Sequence, residues 1–200
     1  MDGYVKVSLS KLISQIGEDN VKNILSDFSC PINSDIETFL RKKAIEFEKQ
    51  SISATHLIFT SYKSQNVLVG YYTLATKAFN VTKSAISKSM SKRINKFATY
   101  DTDLKSYILP APLIAQIGKN FTNNYNSLIT GDELLSIAID DVNVIHQIAG
   151  GKVVYLECED KPRLIDFYSR NGFVSFGNRS LDKDETNISG EYLVQMLRYL

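Results

Sequence analysis

An α/β fold of the α+β kind, a mixed β-sheet flanked by helices, is what this sequence predicts. Two short apolar runs rich in β-formers, HLIFT (56–60) and VLVGYYTLA (67–75), follow an N-terminal stretch with helical spacing. The second half then alternates strand, helix, strand, helix, strand, strand, an order that suits a sheet covered by helices. Hydrophobic residues make up 44% of the 200 positions and charged residues 22%, values that allow one well-packed core. The length suits a single domain over 1–200, with 1–28 a helical N-terminal extension and 77–99 a basic insertion.

Over 8–28, Leu9, Leu12, Ile13, Ile16, Val21, Ile24, Leu25 and Phe28 recur at helical spacing, and Gly17 divides the stretch into two helices. Ser34-Asp35-Ile36-Glu37 reads as a capping box opening a helix that carries Ile36, Leu40 and Phe47 on one face. The two apolar runs form a hairpin across SYKSQN. The stretch 77–99 reads as part helix and part loop. SYILPAPLIAQIGKN (106–120) is a strand whose early part, with Pro110 and Pro112, is expected at an edge or bend. A long helix runs from Gly131 to about Ala149, with Leu134, Leu135, Ala138, Val142, Ile145 and Ala149 on one side, and Gly150-Gly151 ends it. VVYLECE (153–159) is a buried strand. KPRLIDFYSRNG (161–172) is a short helix with Pro162 in its first turn and Gly172 just past its end. FVSFG (173–177) and YLVQMLRYL (192–200) are the last strands, joined by polar residues 178–191. YLVQMLRYL is apolar enough to pair with another chain, so a homodimer is among the expectations.

Composition also excludes. Acids and bases number 22 and 23, so any basic feature must be local. Cys30 and Cys158 form no CxxC and no zinc spacing, and are expected to be buried free thiols. No metal site is expected. The N-terminus lacks an apolar signal-peptide core, and no stretch approaches the roughly 20 apolar residues of a membrane span. A cytoplasmic protein is the expectation. His56 and His146 have no Ser/Asp partner pattern, and no HExxH, GxSxG or Walker loop is present.

Two segments carry chemistry. At NYNSLITGDELL (124–135) a loop becomes a helix, whose unpaired N–H groups and partial positive charge attract phosphate. Gly131 allows close backbone approach, and Thr130 with Glu133 forms a capping-box pattern. In IDFYSRNGF (165–173), Tyr168 lies near the end of a helix that turns into a strand.

In this order and spacing, PLIAQIGKN, NSLITGDELL, KVVYLECED and FYSRNGF resemble the GNAT superfamily of N-acetyltransferases. Upstream, FSCPINSDIETFLRKKA, HLIFT and VLVGYYTLA are similar to the branch that includes aminoacyl-tRNA-acetylating toxins. The resemblance covers roughly 28–177. Against the superfamily's phosphate turn, Asn126 stands at the Gln/Arg position, Ile129 at the first glycine and Gly131 at the last.

The resemblance implies a centrally splayed sheet, an acyl-CoA N-acyltransferase fold, with acetyl-CoA as the acyl donor between 113–119 and 153–159. Ile117, Gly118 and Lys119 would face the pantetheine and thioester, with Gly118 marking a bulge or close approach. Asn126, Leu128, Ile129, Thr130, Gly131 and Asp132 would form the pyrophosphate turn, with the Asp132 and Glu133 side chains turned away. Phe167 would also line the cofactor. Tyr168 matches the superfamily's proton donor to the CoA thiolate, and Glu157 is the candidate base.

The acceptor is an amine. Residues 77–99 carry Lys77, Lys83, Lys88, Lys92, Arg93 and Lys96 without an acid. This is a solvated face, a surface for tRNA phosphates, or a neighbour of the CoA 3′-phosphate. Three functions stay open: an acetyltransferase on a small-molecule or protein amine, a toxin-type acetyltransferase on aminoacyl-tRNA, and a non-catalytic module of the same fold.

Overall fold

The computed structural model describes residues 3–182 and 190–200. A strand, β1 (Tyr4–Ser8), comes first and pairs antiparallel with β2 (Ala54–Tyr62). The helical extension expected over 1–28 therefore starts only at Leu9. YVKVS carries Val5 and Val7 at alternate positions, and those β-branched residues suit an edge strand. The Ser8 hydroxyl caps α1 (Leu9–Ile16) by accepting from the Lys11 N–H. Gly17, at φ 83°, separates α1 from α2 (Glu18–Ser26) as expected.

Helices α3 (Ser34–Thr38) and α4 (Ala44–Lys49) are joined by a π-helical turn, Phe39–Lys43. The cap is Asn33, not Ser34: its side-chain oxygen accepts from the N–H groups of Asp35 and Ile36. Asparagine caps at least as well as serine, so the helix starts where Asn33 can serve. Glu37, expected to close the box, accepts from the Cys30 N–H and the Ser29 hydroxyl instead.

Strand β2 and the 18-residue β3 (Gln65–Thr82) form the expected hairpin. Lys63 and Ser64 close it with φ of 49° and 63°, the paired left-handed geometry that matches strand twist. Strand β3 continues into the basic segment, where Phe79 and Val81 are buried and Asn80 and Thr82 exposed. The expectation of helix and loop over 77–99 thus needs correcting at 77–82. A 3-10 turn (Lys83–Ala85), α5 (Lys88–Ile94) and β4 (Thr99–Asp101) complete the segment.

Strand β5 (Ser106–Lys119) is interior rather than an edge. It pairs β4 through Ile108 and pairs β6 (Val153–Glu159) from Leu113. Pro110 and Pro112 fall between those two ladders, where their missing N–H groups cost no bond to either strand. Helix α6 (Gly131–Ala149), β6, α7 (Pro162–Arg170), β7 (Val174–Ser180) and β8 (Tyr192–Tyr199) follow as expected. The connection over 178–191 lies partly outside the described residues. The strand order is β1-β2-β3-β5-β6-β8-β7, with β4 beside β5. Within the second unit β5 and β6 pair in parallel, through Leu113–Tyr155 and Ile114–Leu156. Strand β8 has a neighbour on each side, so it offers no open edge to a second chain, contrary to the expectation for YLVQMLRYL.

The chain divides into two compact units, Met1–Ala75 with Ala115–Asp140, and Thr76–Ile114 with Asp141–Leu200. In the first, Leu9, Leu25, Phe28, Leu40, Leu57 and Tyr71 are fully or almost fully buried. The Tyr71 hydroxyl donates to the Ile36 carbonyl at 2.6 Å. In the second, Leu109, Val153, Tyr155, Phe173, Met196 and Leu197 are buried to the same degree.

Within the first unit a β-bulge in β3 leaves Val69 unpaired between Ile58–Gly70 and Phe59–Leu68. Asn120, 2% exposed, satisfies both carbonyls there. Its N–H donates to Val69 at 2.8 Å and its side-chain amide to Leu68 at 2.9 Å. Its side-chain oxygen accepts from the N–H groups of Ser29 and Thr122. Asn120→Ala should cost about 2 kcal/mol, because the buried Leu68 carbonyl and the half-buried N–H groups of Ser29 and Thr122 lose their partner. Urea unfolding should show a lower midpoint at unchanged slope.

Candidate active site

The phosphate-turn candidates lie in the first unit. After β5 the chain makes a 3-10 stretch (Thr122–Ser127) in which Asn123 and Asn124 take positive φ of 49° and 62°. Ile129 is absent from the positive-φ residues and is 2% exposed. The reversal that a glycine would make has moved to two asparagines, which tolerate the left-handed region better than a β-branched residue. The turn is held from inside. The Lys119 ammonium donates to the carbonyls of Asn126 and Ile129 at 2.9 and 3.1 Å, and the Tyr4 hydroxyl donates to the Leu128 carbonyl at 3.0 Å.

The capping box at the start of α6 is formed. The Thr130 N–H and hydroxyl both donate to Glu133 at 2.7 Å, and the Glu133 N–H donates to the Thr130 hydroxyl at 3.1 Å. These bonds from Thr130 hold the Glu133 carboxyl below the ordinary glutamate range. Glu133 therefore folds back over the turn rather than pointing away from it. Its carboxylate takes the Thr130 N–H, one of the donors that the resemblance assigns to pyrophosphate. Helix dipole and backbone donors attract whichever anion is nearest, and a tethered carboxylate is always near.

Gly118 marks a close approach, as expected, and the neighbours are protein atoms. A Cβ at Gly118 would meet Ile36 Cγ2 at 2.4 Å, and a Cβ at Gly70 would meet the Gly118 carbonyl at 2.9 Å. Ile117 is half-buried, and the Gln116 amide beside it donates to Asp35 at 3.0 Å.

Tyr168 and Glu157 belong to the second unit. Helix α7 is amphipathic, and Tyr168, 7% exposed, is its buried residue. The ring packs edge-on against Phe167 at 4.9 Å and against Phe173 at 5.9 Å. Its carbonyl accepts from the N–H groups of Asn171 and Phe173. Burial, with Cys158 a lesser contributor, pushes the phenol well above the ordinary tyrosine value, so it holds its proton through the neutral and mildly alkaline range. Burial likewise pushes the Cys158 thiol up to about 11, with Asp160 and Glu159 adding to it. Cys30 and Cys158 are both free and buried, as expected. Phe167 is half-buried beneath the Arg170 guanidinium, 5.2 Å from its ring centre.

Glu157 lies on β6. Its carboxylate accepts from Arg179 Nε at 2.8 Å and from Gln195 Nε2 at 2.9 Å. The ion-paired role open to a strand-end glutamate is thus realised. Tyr155, two residues earlier and so on the same strand face, has a buried hydroxyl without a hydrogen-bond partner. Sequence reasoning passed over Tyr155, Arg179 and Gln195. The i, i+2 spacing in VVYLECE was the available signal for Tyr155. The two partners of Glu157 come from other strands and left no local signal.

The six cations of 77–99 are all exposed, on the end of β3, the 3-10 turn, α5 and the segment after it. His146 Nε2 lies 3.2 Å from the Val153 carbonyl, and burial depresses its pKa. His56 stacks on Tyr72 at 5.0 Å. Among the described residues no group of three or more His, Cys, Asp or Glu is placed to hold a metal ion. No described helix is long and apolar enough to cross a membrane.

Comparison of the sequence with protein-family models and with curated proteins finds no match. Solved structures do match. A tyrosine-to-phenylalanine variant of KacT aligns at TM-score 0.63 and 15% identity, over 96% of this chain and 94% of that one. AtaT complexed with acetyl-methionyl-tRNAfMet aligns at 0.60 and 17%, over 96% and 93%. A tyrosine-to-phenylalanine variant of the AtaT toxin, bound to acetyl-CoA and the C-terminus of its antitoxin AtaR, aligns at 0.59 and 14%, over 99% and 94%. Likeness at this identity speaks for the fold, and the fold of this chain is the GNAT fold that its ordered strand and helix phrases led us to expect.

Proposed function

We propose that the chain is an acetyl-CoA-dependent N-acetyltransferase acting on a primary amine. Tyr168 carries the reading: a buried phenol that keeps its proton, in the FYSRNGF phrase at the end of α7. AtaT has been solved with acetyl-CoA, which supports the same cosubstrate here.

The amine nitrogen attacks the thioester carbonyl carbon. A backbone N–H at Ile117 or Gly118 donates to the developing oxyanion. The carbon–sulfur bond breaks, and the sulfur takes the Tyr168 proton, which solvent later restores. The surplus proton of the amine passes to Glu157, directly or through water. The N–H groups of Ile129, Gly131 and Asp132 hold the pyrophosphate, joined by Thr130 once Glu133 swings away and by Leu128 once its N–H leaves the Tyr125 carbonyl, while the Lys119 backbone faces the pantetheine. Asn126 and Phe167 complete the cofactor contacts.

A second reading follows from the exposed cations of 77–99 and from the AtaT complex with acetyl-methionyl-tRNAfMet. Here the acceptor is aminoacyl-tRNA, and Lys88, Lys92 and Arg93 on α5 meet its phosphates. Binding of aminoacyl-tRNA should then fall steeply with salt, and alanine at these three positions should reduce the salt slope. Salt-independent behaviour would dismiss this reading.

Acetyl-CoA at 100 times its Kd should stabilise the protein by roughly 2.7 kcal/mol in a thermal melt. No shift at millimolar acetyl-CoA would leave only the non-catalytic module. Tyr168→Phe should lower kcat about 100-fold or more with acetyl-CoA binding retained. Because the folded-state phenol titrates above its ordinary value, the wild-type rate should show no loss from Tyr168 between pH 7 and about 9.5. Glu133→Ala should tighten acetyl-CoA binding by removing a competing anion. It should also cost about 1 kcal/mol of cap stability, a fall in Tm of about 2–4 °C. That cost should vanish as pH falls through the depressed Glu133 pKa, where the protonated side chain no longer caps.

A further inference from the structure

A cavity of about 370 Å³ opens in the second unit, lined by β3, β6, β7 and β8. Its floor is aromatic. The Phe79 ring lies 4.0 Å from that of Tyr155 and 5.2 Å from that of Phe176. Phe176 is the extra residue of a bulge in β7, between Ser175–Met196 and Gly177–Gln195. Bulges of this kind re-aim a side chain, here toward the floor. The volume lies at the low end for small-molecule sites.

Tyr155, Glu157 and Lys77 are among the residues that line the cavity. Tyr155 is 1% exposed, and its buried hydroxyl has no partner, an arrangement that costs about 1–3 kcal/mol unless something else supplies the bond. Glu157 is largely buried and locked by Arg179 and Gln195, one on each oxygen. A carboxylate has about four lone-pair sites, so two acceptor positions remain on a rigidly held anion. Lys77, exposed at the rim, makes no ion pair among the described residues. The cavity thus offers an anion with spare acceptor capacity, a cation, and an apolar surface between them.

We propose that this cavity binds a small amino-acid-like molecule, its ammonium on Glu157, its carboxylate toward Lys77 and its apolar body on Phe79 and Phe176, and that this molecule is the acetyl acceptor. Its role as acceptor rests on the acetyl-transfer reading above, whereas its binding does not. An aminoacyl ester would present the amine without a carboxylate and would leave Lys77 unused.

Isothermal titration with three probes tests this. L-Phenylalanine carries both charges, its methyl ester only the ammonium, and 3-phenylpropionate only the carboxylate. L-Phenylalanine should bind at least tenfold more tightly than either of the others. Glu157→Gln should weaken L-phenylalanine and the ester about tenfold and leave phenylpropionate unchanged. Lys77→Ala, at an exposed position that does not threaten folding, should weaken L-phenylalanine and phenylpropionate and spare the ester. Ester binding equal to that of the free amino acid would overturn the proposal, as would no binding of L-phenylalanine at 10 mM. Acetyl-CoA is titrated in parallel. If it binds and L-phenylalanine does not, the cavity inference fails and acetyl transfer stands. If L-phenylalanine binds with the expected variant pattern and acetyl-CoA does not, acetyl transfer fails, and with it the acceptor role.

Discussion

The amide of Asn120 is the constraint on which the first unit depends. It sits where β5 ends, and it serves four backbone groups from three separate stretches of chain. One stretch is the bulge in β3, whose displaced carbonyls need donors that a regular ladder would have supplied. Another is the loop before α3, which Glu37 also ties through Cys30. The third is the start of the turn leading to α6. A single buried residue therefore sets where the turn begins, and Lys119 beside it sets how the turn closes. No hydrophobic contact could do this, because apolar packing is non-directional and does not select which N–H meets which carbonyl.

Much of this architecture was legible in the sequence. Helices α6 and α7 and strands β5 and β6 lie where periodicity and the flanking glycines and prolines put them. The misses have physical causes. Strand β1 is five residues long and takes its stability from pairing with β2, which local pattern does not reveal. At the end of β3 the alternation is short: Phe79 and Val81 are its buried pair, and Lys77, two residues before Phe79 on the same face, breaks the apolar pattern. Asn33 and Ser34 are capping residues side by side, and the phrase itself does not choose between them, while Glu37 turns to Ser29 and Cys30.

The site was legible in parts. Tyr168 is as buried as its place in the helix pattern required. At the turn, two readings of the same residues competed. TGDE is a capping box, and it is also where the resemblance puts a phosphate. Both draw on the Thr130 N–H, and sequence alone does not say which anion sits there. Glu157 shows the complementary difficulty. Its strand followed from VVYLECE, while Arg179 and Gln195 lie 22 and 38 positions further along the chain. Chemistry assembled by a sheet from distant strands leaves little trace in any one of them.

The position of β8 has a consequence for biosynthesis. It pairs with β6 and β7, both of which leave the ribosome before it does. Until it arrives, those two strands wait with unsatisfied edges, and Phe176 and Tyr155 lack the strand that joins them. Waiting edges of this kind invite pairing with other nascent chains. A chaperone's grip on those open edges until β8 docks would then favour the native pairing over association with a neighbouring chain.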